Sequence, residues 1–268
     1  MVHADVVRTE KLTPGLVRVV LGGPGLDGYT AADGTDAYVN LAFAPEGAPY
    51  GPVFDPQEVR GLGLPRELQP VRRRYTVRSW DPAVRELAID FVVHGDAGVA
   101  GPWAAAARAG DVLVLEGPAC GYRPDAEADW HLMLGDESAL PAVAASLEAL
   151  HPDARAVVRL VCDGPEHQVP LSSPGDVDVA WLHRTGSSAD GELLVEATRA
   201  LDFPPGQVHA FVHGEAEEIR SVRRHLLLER GLQRSDMSCS PYWRRTMTDE
   251  AWRAVKRDFI SAMDADVA

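Results

Sequence analysis

Apolar and polar residues alternate along four segments in the first half of the chain. The segments cover residues 17–21, 37–43, 87–93 and 111–116, and glycine and proline interrupt the pattern between them. A period of two places successive side chains on opposite faces of a β-strand. The pattern therefore predicts an antiparallel β-barrel or sandwich, interrupted by one short helix over residues 102–109.

The second half has a different pattern, in which short apolar strands alternate with segments of helical periodicity. Strands are predicted at residues 131–134, 156–161, 178–183 and 208–212, and helices at 138–150, 191–201, 215–230 and 248–263. Ser138 is a good N-cap residue for the first of these helices. Alternation of this kind is typical of a parallel sheet wound with helices. The change near residue 124 predicts two domains, residues 1–124 and 125–268.

Composition indicates a globular protein with a hydrophobic core. Of 268 residues, 46% are hydrophobic and 25% are charged. We expect no integral membrane segment, because no apolar run approaches the length that a bilayer requires. The amino terminus lacks the features of a signal peptide, which predicts a cytoplasmic protein. Three separated cysteines make a disulfide framework or an iron–sulfur site improbable, and the nine histidines lack metal-ligand spacing.

The net charge of -14 makes nucleic acid an unexpected partner, because phosphate polymers need a dominant positive field. Arginines nevertheless cluster at two places, which favours a small anionic ligand. One cluster contains Arg72, Arg73, Arg74 and Arg78, and the other contains Arg244 and Arg245. An equally weighted alternative for Arg72 and Arg74, which alternate with Arg73 along a strand, is solvated surface charge.

Two stretches together suggest a site for a flavin dinucleotide. Residues 73–78 form a strand-like run that combines arginines with a Tyr75–Thr76 pair, and residues 94–103 form a glycine-rich turn that enters an alanine-rich helix. A fixed cation and free backbone N–H groups at a helix start suit a pyrophosphate. Gly98, Ala100 and Gly101 are small enough to let the backbone approach phosphate.

An acidic loop marks a second candidate site, between a strand and a helix of the second domain. Gly135, Asp136, Glu137 and Ser138 form this loop. Its carboxylates suit hydroxyls or an adenine amine rather than phosphate, and no Gly-x-Gly-x-x-Gly fingerprint is present. Arg184, which follows a later strand, could meet a 2′-phosphate, although arginines at strand ends are common.

The sequence closely resembles the siderophore-interacting protein family, whose members are FAD-dependent ferric-siderophore reductases with the two-domain plan of ferredoxin reductase-like flavoenzymes. The matching stretches occur in the family's order and span nearly the whole chain. They are residues 36–39, 73–78, 90–95, 98–104, 129–131, 135–142, 214–216 and 242–244.

The resemblance implies an antiparallel FAD-binding β-barrel followed by a parallel-sheet α/β nucleotide-binding domain. It assigns the pyrophosphate to Arg73 and the isoalloxazine to Tyr75 and Thr76, with His94 and Gly95 near the ring edge and ribityl chain. Tyr75 could instead be a barrel core residue, His94 could simply end a strand, and Trp103 is expected to pack the helix on the barrel. The implied cofactor-binding residues are Arg73, Tyr75, Thr76, Val77, His94, Gly95, Gly98, Ala100, Gly101, Asp136, Glu137 and Ser138.

Three residues depart from the family pattern. Asn40 stands where the family usually has a lysine beside the substrate pocket, Pro241 replaces a glycine, and His213 replaces an alanine. The loss of a cation at Asn40 weakens the expectation for an anionic substrate more than that for flavin. The implied substrate-binding residues are Asn40, Arg72, Arg74 and Arg244.

The implied function is electron transfer from NADH or NADPH through FAD to a ferric siderophore, with release of iron(II) in the cytoplasm. Two alternatives stay open: a flavin reductase or electron-transfer flavoprotein with another acceptor, and a non-catalytic siderophore-binding module. The sequence does not decide the siderophore class, the choice of NADH, NADPH or ferredoxin as donor, or the oligomeric state.

Overall fold

The computed structural model describes residues 2–95 and 98–267, and the chain divides into two compact units, Met1–Gly121 and Tyr122–Ala268. Among the described residues, none of the helices has the length and apolar character that a membrane span requires.

The first unit is a closed six-stranded barrel in which every pair of neighbouring strands is antiparallel, in the order β1-β2-β5-β4-β3-β6. Alternate residues of the strands, among them Val39, Leu41 and Phe91, are fully buried inside it. This confirms the predicted antiparallel barrel. The strands are β1 (Val2–Thr13), β2 (Leu16–Gly22), β3 (Tyr38–Phe43), β4 (Val71–Asp81), β5 (Glu86–Val92) and β6 (Val112–Ala119), and the helices are α1 (Pro56–Gly61) and α2 (Ala100–Ala106).

Helix α2 packs on the barrel core through an aromatic contact. The ring of Trp103 lies 5.5 Å from that of Phe43 and 5.7 Å from that of Phe91, centroid to centroid. This confirms the packing role expected of Trp103. The predicted start of the helix at Pro102 is wrong by two residues, because proline is tolerated anywhere in the first turn, where its missing N–H has no helical partner.

The second unit is a five-stranded parallel sheet with helices, as predicted, in the order β11-β10-β7-β8-β9. In chain order the sheet begins in its centre with β7, runs outwards to β9, and then crosses to β10 and β11. The topological switch point therefore lies between β7 and β10. The elements are β7 (Trp130–Asp136), α3 (Leu140–Glu148), β8 (Arg155–Cys162), β9 (Asp176–His183), α4 (Leu193–Arg199), β10 (Val208–Glu215), α5 (Ala216–Leu228), β11 (Met237–Trp243) and α6 (Asp249–Ala265).

Candidate functional site

One face of the barrel collects the residues predicted to bind substrate in the first unit. Asn40 in β3 lies opposite Arg74 in β4 and opposite Glu116 in β6. Arg72 forms an ion pair with Glu116, and the guanidinium carbon of Arg74 lies 4.6 Å from the centre of the Tyr38 ring. The structure therefore brings Asn40, Arg72 and Arg74 together.

Glu116 is a member of this face that sequence reasoning missed. Its carboxylate offsets the charge of Arg72, and its side chain is only 18% exposed. The available signal was a charged residue that ends the apolar run of residues 112–115. A cavity of about 160 Å³ lies beside Arg72 and is lined by Pro56, Arg60, Gln69, Pro70 and Arg72.

The arginines of β4 do not all point the same way, because successive strand residues alternate between faces. Arg73 lies opposite Leu41, on the other side of the strand from Arg72 and Arg74, and its Nη1 donates a 3.0 Å hydrogen bond to the carbonyl of Arg72. This separation of Arg73 from Arg72 and Arg74 agrees with the alternation that the sequence predicts along the strand.

Tyr75 and Thr76 also leave β4 on opposite faces. The Tyr75 ring lies 4.4 Å from the Phe91 ring and packs against the barrel core, whereas Thr76 lies opposite Tyr38 in β3. A planar ring bound on one face of this strand can therefore contact the side chain of either Tyr75 or Thr76, and only the main chain of the other residue. Val77 is buried in the core, and its N–H donates to the carbonyl of Ala37 at 2.7 Å.

The glycine-rich turn combines exposed and buried positions. His94 and Gly95 are exposed, and Gly95 and Gly98 have φ angles of +58° and +83° with open space beside them. These positive angles favour glycine. Asp96 and Ala97, which belong to the same predicted turn, lie outside the described residues.

Ala100 and Gly101 serve the packing of α2 on the barrel. Ala100 is buried in the core, and a Cβ on Gly101 would lie 3.1 Å from the carbonyl oxygen of Val92. Across β4 and the turn, the first unit offers guanidinium groups and glycine backbone at positive φ. These groups fit a pyrophosphate, which binds cations and free N–H groups.

In the second unit, Asp136 joins the carboxyl ends of β7, β10 and β11. Its Oδ2 accepts hydrogen bonds from the Glu215 N–H at 2.9 Å and from Trp243 Nε1 at 2.8 Å. Its Oδ1 accepts from the Ser138 N–H at 2.8 Å and the Ser138 hydroxyl at 2.5 Å. Both oxygens of this buried carboxylate are thus bonded within the chain.

Ser138 is not the helix cap that the sequence predicted. Helix α3 begins at Leu140, and its N-cap residue is Ala139, which has no capping side chain. The Ser138 hydroxyl donates to Asp136 instead, because the carboxylate lies two residues away at the strand end. This bond and the role of Trp243 were missed, since nothing in the sequence indicates that the end of β11 lies within reach of the end of β7.

The strands pack closely at this switch point. A Cβ on Gly135 would lie 2.7 Å from the carbonyl oxygen of His213, and one on Gly214 would lie 2.7 Å from Asp136 Oδ2. His213 is buried and stacks on Phe211 with 3.9 Å between ring centroids. Burial lowers the pKa of His213 to about 3.

Three strand ends are joined by an ion-pair network. Arg184, after β9, donates to Glu137 Oε1 at 2.5 Å and Oε2 at 2.8 Å, and to Asp163 Oδ1 at 2.9 Å. Burial raises the pKa of the Glu137 carboxyl, and the bonds from Arg184 act in the opposite direction. Asp163, which follows β8, was not identified from the sequence.

A second acidic group surrounds the start of α5. The Glu215 carboxylate caps the helix by accepting from the N–H groups of Glu217 and Glu218. Glu218 is buried beside Arg245, whose Nη2 lies 3.0 Å from Glu218 Oε1. Burial, with repulsion from Asp136 and Glu215, raises the pKa of Glu218 to about 8.

Arg244 lies in the second unit, between an acid and an aromatic ring. It donates to Glu217 Oε1 at 2.5 Å, and its guanidinium carbon lies 5.1 Å from the centre of the Phe259 ring. Its predicted contact with substrate stays a prediction.

Two family profiles together match most of the chain. The profile for the siderophore-interacting FAD-binding domain matches residues 5–122, and that for siderophore-interacting protein matches residues 128–246. The profile boundaries fall near the division between the barrel and the parallel-sheet unit.

Similar proteins match over comparable lengths. An uncharacterized protein of Mycobacterium tuberculosis is 42% identical over 97% of this chain and 96% of its own. The ferric vibriobactin reductase ViuB of Vibrio cholerae is 36% identical over 92% and 91%, and the NADPH-dependent ferric-chelate reductase of Escherichia coli is 30% identical over 84% and 85%.

A solved structure agrees with these sequence matches. The crystal structure of a siderophore utilization protein from T. fusca superposes with a TM-score of 0.79, at 35% identity, and covers 92% of this chain and 94% of that one. The chain belongs to the siderophore-interacting protein family.

Proposed function

We propose that the protein is an FAD-dependent ferric-siderophore reductase that takes electrons from a reduced nicotinamide nucleotide. The observation that carries the proposal is the match of both units, along 92% of the chain, to a protein named ferric vibriobactin reductase. The FAD-binding profile over the barrel and the ferric-chelate reductase among the relatives support the same reaction class.

The barrel supplies the groups that would hold FAD. Arg73 would bind the pyrophosphate together with the backbone around Gly98, where a positive φ leaves open space. The side chain of Tyr75 or the main chain at Thr76 would bound the isoalloxazine. Bound FAD supplies the conversion of a hydride into single electrons, which iron reduction requires. The protein residues therefore have to position the flavin and shield it from solvent, and they need not act as acids, bases or nucleophiles.

The ferric siderophore would be met by the face that contains Asn40, Arg72 and Arg74. Arg74 lies over the Tyr38 ring, which leaves the edges of its planar fork able to contact oxygen atoms of a chelate. Oxygen chelates hold iron(II) less tightly than iron(III), so reduction releases the metal. The Arg72–Glu116 pair limits the positive charge of this face, so shape and hydrogen bonding also have to contribute to selection.

The nicotinamide nucleotide would bind at the carboxyl ends of the parallel strands, where doubly wound sheets receive their ligands. Asp136 stabilises this edge by joining β7 to β10 and β11. Since NADH and NADPH are produced inside the cell, the proposal locates the reaction in the cytoplasm.

Anaerobic absorbance spectroscopy tests the proposal. Protein reconstituted with FAD should lose its flavin absorbance when NADH or NADPH is added, and a ferric siderophore should restore it. If neither nucleotide bleaches the flavin but dithionite does, and iron is then reduced, the donor is another protein such as a ferredoxin. A chain that binds no FAD in titration would contradict the proposal as a whole.

A further inference from the structure

The structure assigns a nucleotide preference to the network formed by Glu137, Asp163 and Arg184. We propose that this network selects NADH over NADPH by presenting net negative charge to the adenosine end of the nucleotide. The inference rests on the proposed function, since it concerns the donor of that reaction.

The network lies where a doubly wound sheet meets the ribose of its ligand. Glu137 directly follows β7, Asp163 directly follows β8, and Arg184 directly follows β9, so the three residues stand at the same edge of three adjacent strands. In the dinucleotide-binding fold an acidic residue after the second strand accepts a hydrogen bond from the ribose 2′-hydroxyl. Strand β8 is the second strand of this sheet in chain order, and Asp163 has that position.

Arg184 is the cation of this network that would be expected to bind a 2′-phosphate. Its two terminal nitrogens are both bonded to Glu137, and Nη1 is also bonded to Asp163, in a side chain that is only 17% exposed. Its backbone N–H donates to the carbonyl of Cys162 at 2.9 Å, which fixes the start of the side chain. Arg184 could bind a phosphate only after leaving a bidentate carboxylate pair.

The charges of the network disfavour a phosphate in another way. Two carboxylates face one guanidinium, so the three side chains carry a net charge of -1. Asp163 is 61% exposed and reaches solvent, whereas Glu137, which pairs with Arg184, is 15% exposed. A 2′-phosphate would approach the exposed carboxylate, and like charges at an interface discriminate against a ligand. A 2′-hydroxyl would find an acceptor there.

The test compares the two nucleotides on the FAD-loaded protein and on two variants. In anaerobic flavin reduction, wild-type kcat/KM should favour NADH by about tenfold or more. Asp163→Asn should raise kcat/KM for NADPH about fivefold and lower that for NADH, because the hydroxyl loses a charged acceptor. Glu137→Gln should also raise the value for NADPH by releasing Arg184. The preference of the wild type should shrink as salt rises, because Asp163 is exposed.

Asp178→Asn is a matched control. Asp178 is 62% exposed and forms a 2.8 Å ion pair with Arg159, but it lies near the amino end of β9 rather than at the carboxyl edge. This variant removes the same charge and should leave the nucleotide preference unchanged. Calorimetric titration with ADP-ribose and 2′-phospho-ADP-ribose gives a second readout that does not require electron transfer.

Several outcomes would overturn the inference. They are a wild type that uses NADPH as well as NADH, a phosphorylated fragment that binds as tightly as ADP-ribose, or an Asp163→Asn variant no more favourable to NADPH than Asp178→Asn. If Glu137→Gln fails to fold, the wild type and the two aspartate variants still decide the matter. If neither nucleotide reduces the flavin and neither fragment binds, the nicotinamide donor itself is wrong, and the proposed function fails before the question of preference arises.

Discussion

Removal of the Asp136 carboxylate should strongly destabilise the parallel-sheet unit. This side chain accepts four hydrogen bonds at the carboxyl ends of β7, β10 and β11, two from Ser138 and one each from Glu215 and Trp243. In Asp136→Ala the Glu215 N–H is buried without an acceptor, and Trp243 Nε1 is partly buried without one. Water can replace the bonds to Ser138, which is partly exposed.

The magnitude follows from the groups that lose their acceptor. A buried donor left unsatisfied costs about 1–3 kcal/mol, and a partly buried one costs toward the lower end of that range. Loss of the Asp136 charge also removes the repulsion between Asp136 and Glu218, which offsets part of this destabilisation. We therefore expect a loss of about 2–4 kcal/mol, or roughly 4–16 °C in the unfolding midpoint of a domain of this size.

Thermal unfolding followed by circular dichroism and tryptophan fluorescence measures this loss. Trp243→Phe alone should cost about 1 kcal/mol, because it removes one donor to the same carboxylate. The double variant should cost less than the sum of the single ones, since both remove the Asp136–Trp243 bond. A loss below about 1 kcal/mol for Asp136→Ala, or fully additive effects, would refute the view that this carboxylate joins the three strands.

Further predictions address the flavin, the substrate and pH. Arg73→Ala should weaken FAD binding roughly tenfold to hundredfold, with partial rescue by lysine, because a charge-assisted phosphate contact is lost. Fluorescence titration measures this, and equal dissociation constants would locate the pyrophosphate elsewhere. Asn40→Lys should strengthen binding of an anionic ferric siderophore at most about fivefold at low salt. The gain is small because the Glu116 carboxylate opposite offsets the new charge and because solvent screens the attraction between the lysine and the siderophore. FAD affinity should not change, and tryptophan quenching at two ionic strengths can detect the difference. Burial lowers the pKa of His213 in the folded state to about 3, from an ordinary value of 6.5. The contribution of the neutral ring to folding stability is therefore complete above pH 6.5 and is lost as pH falls towards 3. At pH 5 the imidazole is mostly protonated in the unfolded state and neutral in the folded state, which lowers the free energy of unfolding by about 2 kcal/mol. His213→Ala should therefore lose less stability than the wild type between pH 7 and 5, and parallel losses in urea unfolding would contradict this.

The fold was predictable where hydrophobic periodicity was strong. The core strands of the barrel and the alternating strands and helices of the second unit agree with the sequence pattern. Strands β1 and β11 were missed for physical reasons. Residues 7–11 of β1 are exposed and mostly polar, so no alternation marks them. Strand β11 lies at a sheet edge and contains Pro241, a residue that ordinarily argues against a strand and is tolerated at edges.

The candidate site was less predictable because its geometry depends on pairs that are remote in sequence. Strand alternation correctly separates Arg73 from Arg72 and Arg74, but the sequence does not indicate that Glu116 would pair with Arg72. The ion pair of Glu137 with Arg184 likewise depends on the order of β7, β8 and β9 in the sheet. Local motifs thus identify candidate residues, whereas strand register decides which charges are neutralised.

The proposed reaction is tested most directly by the stoichiometry of iron reduction by the FAD-loaded protein in the absence of oxygen. A ferric siderophore and an iron(II) trap are mixed with the protein and a limited amount of NADH, or of NADPH in a parallel sample. A ferric-siderophore reductase should yield close to two trapped iron(II) ions per nucleotide consumed, because a hydride carries two electrons and each iron accepts one. If dithionite-reduced protein yields no trapped iron(II) from any hydroxamate, catecholate or carboxylate chelate, the protein is not a ferric-siderophore reductase.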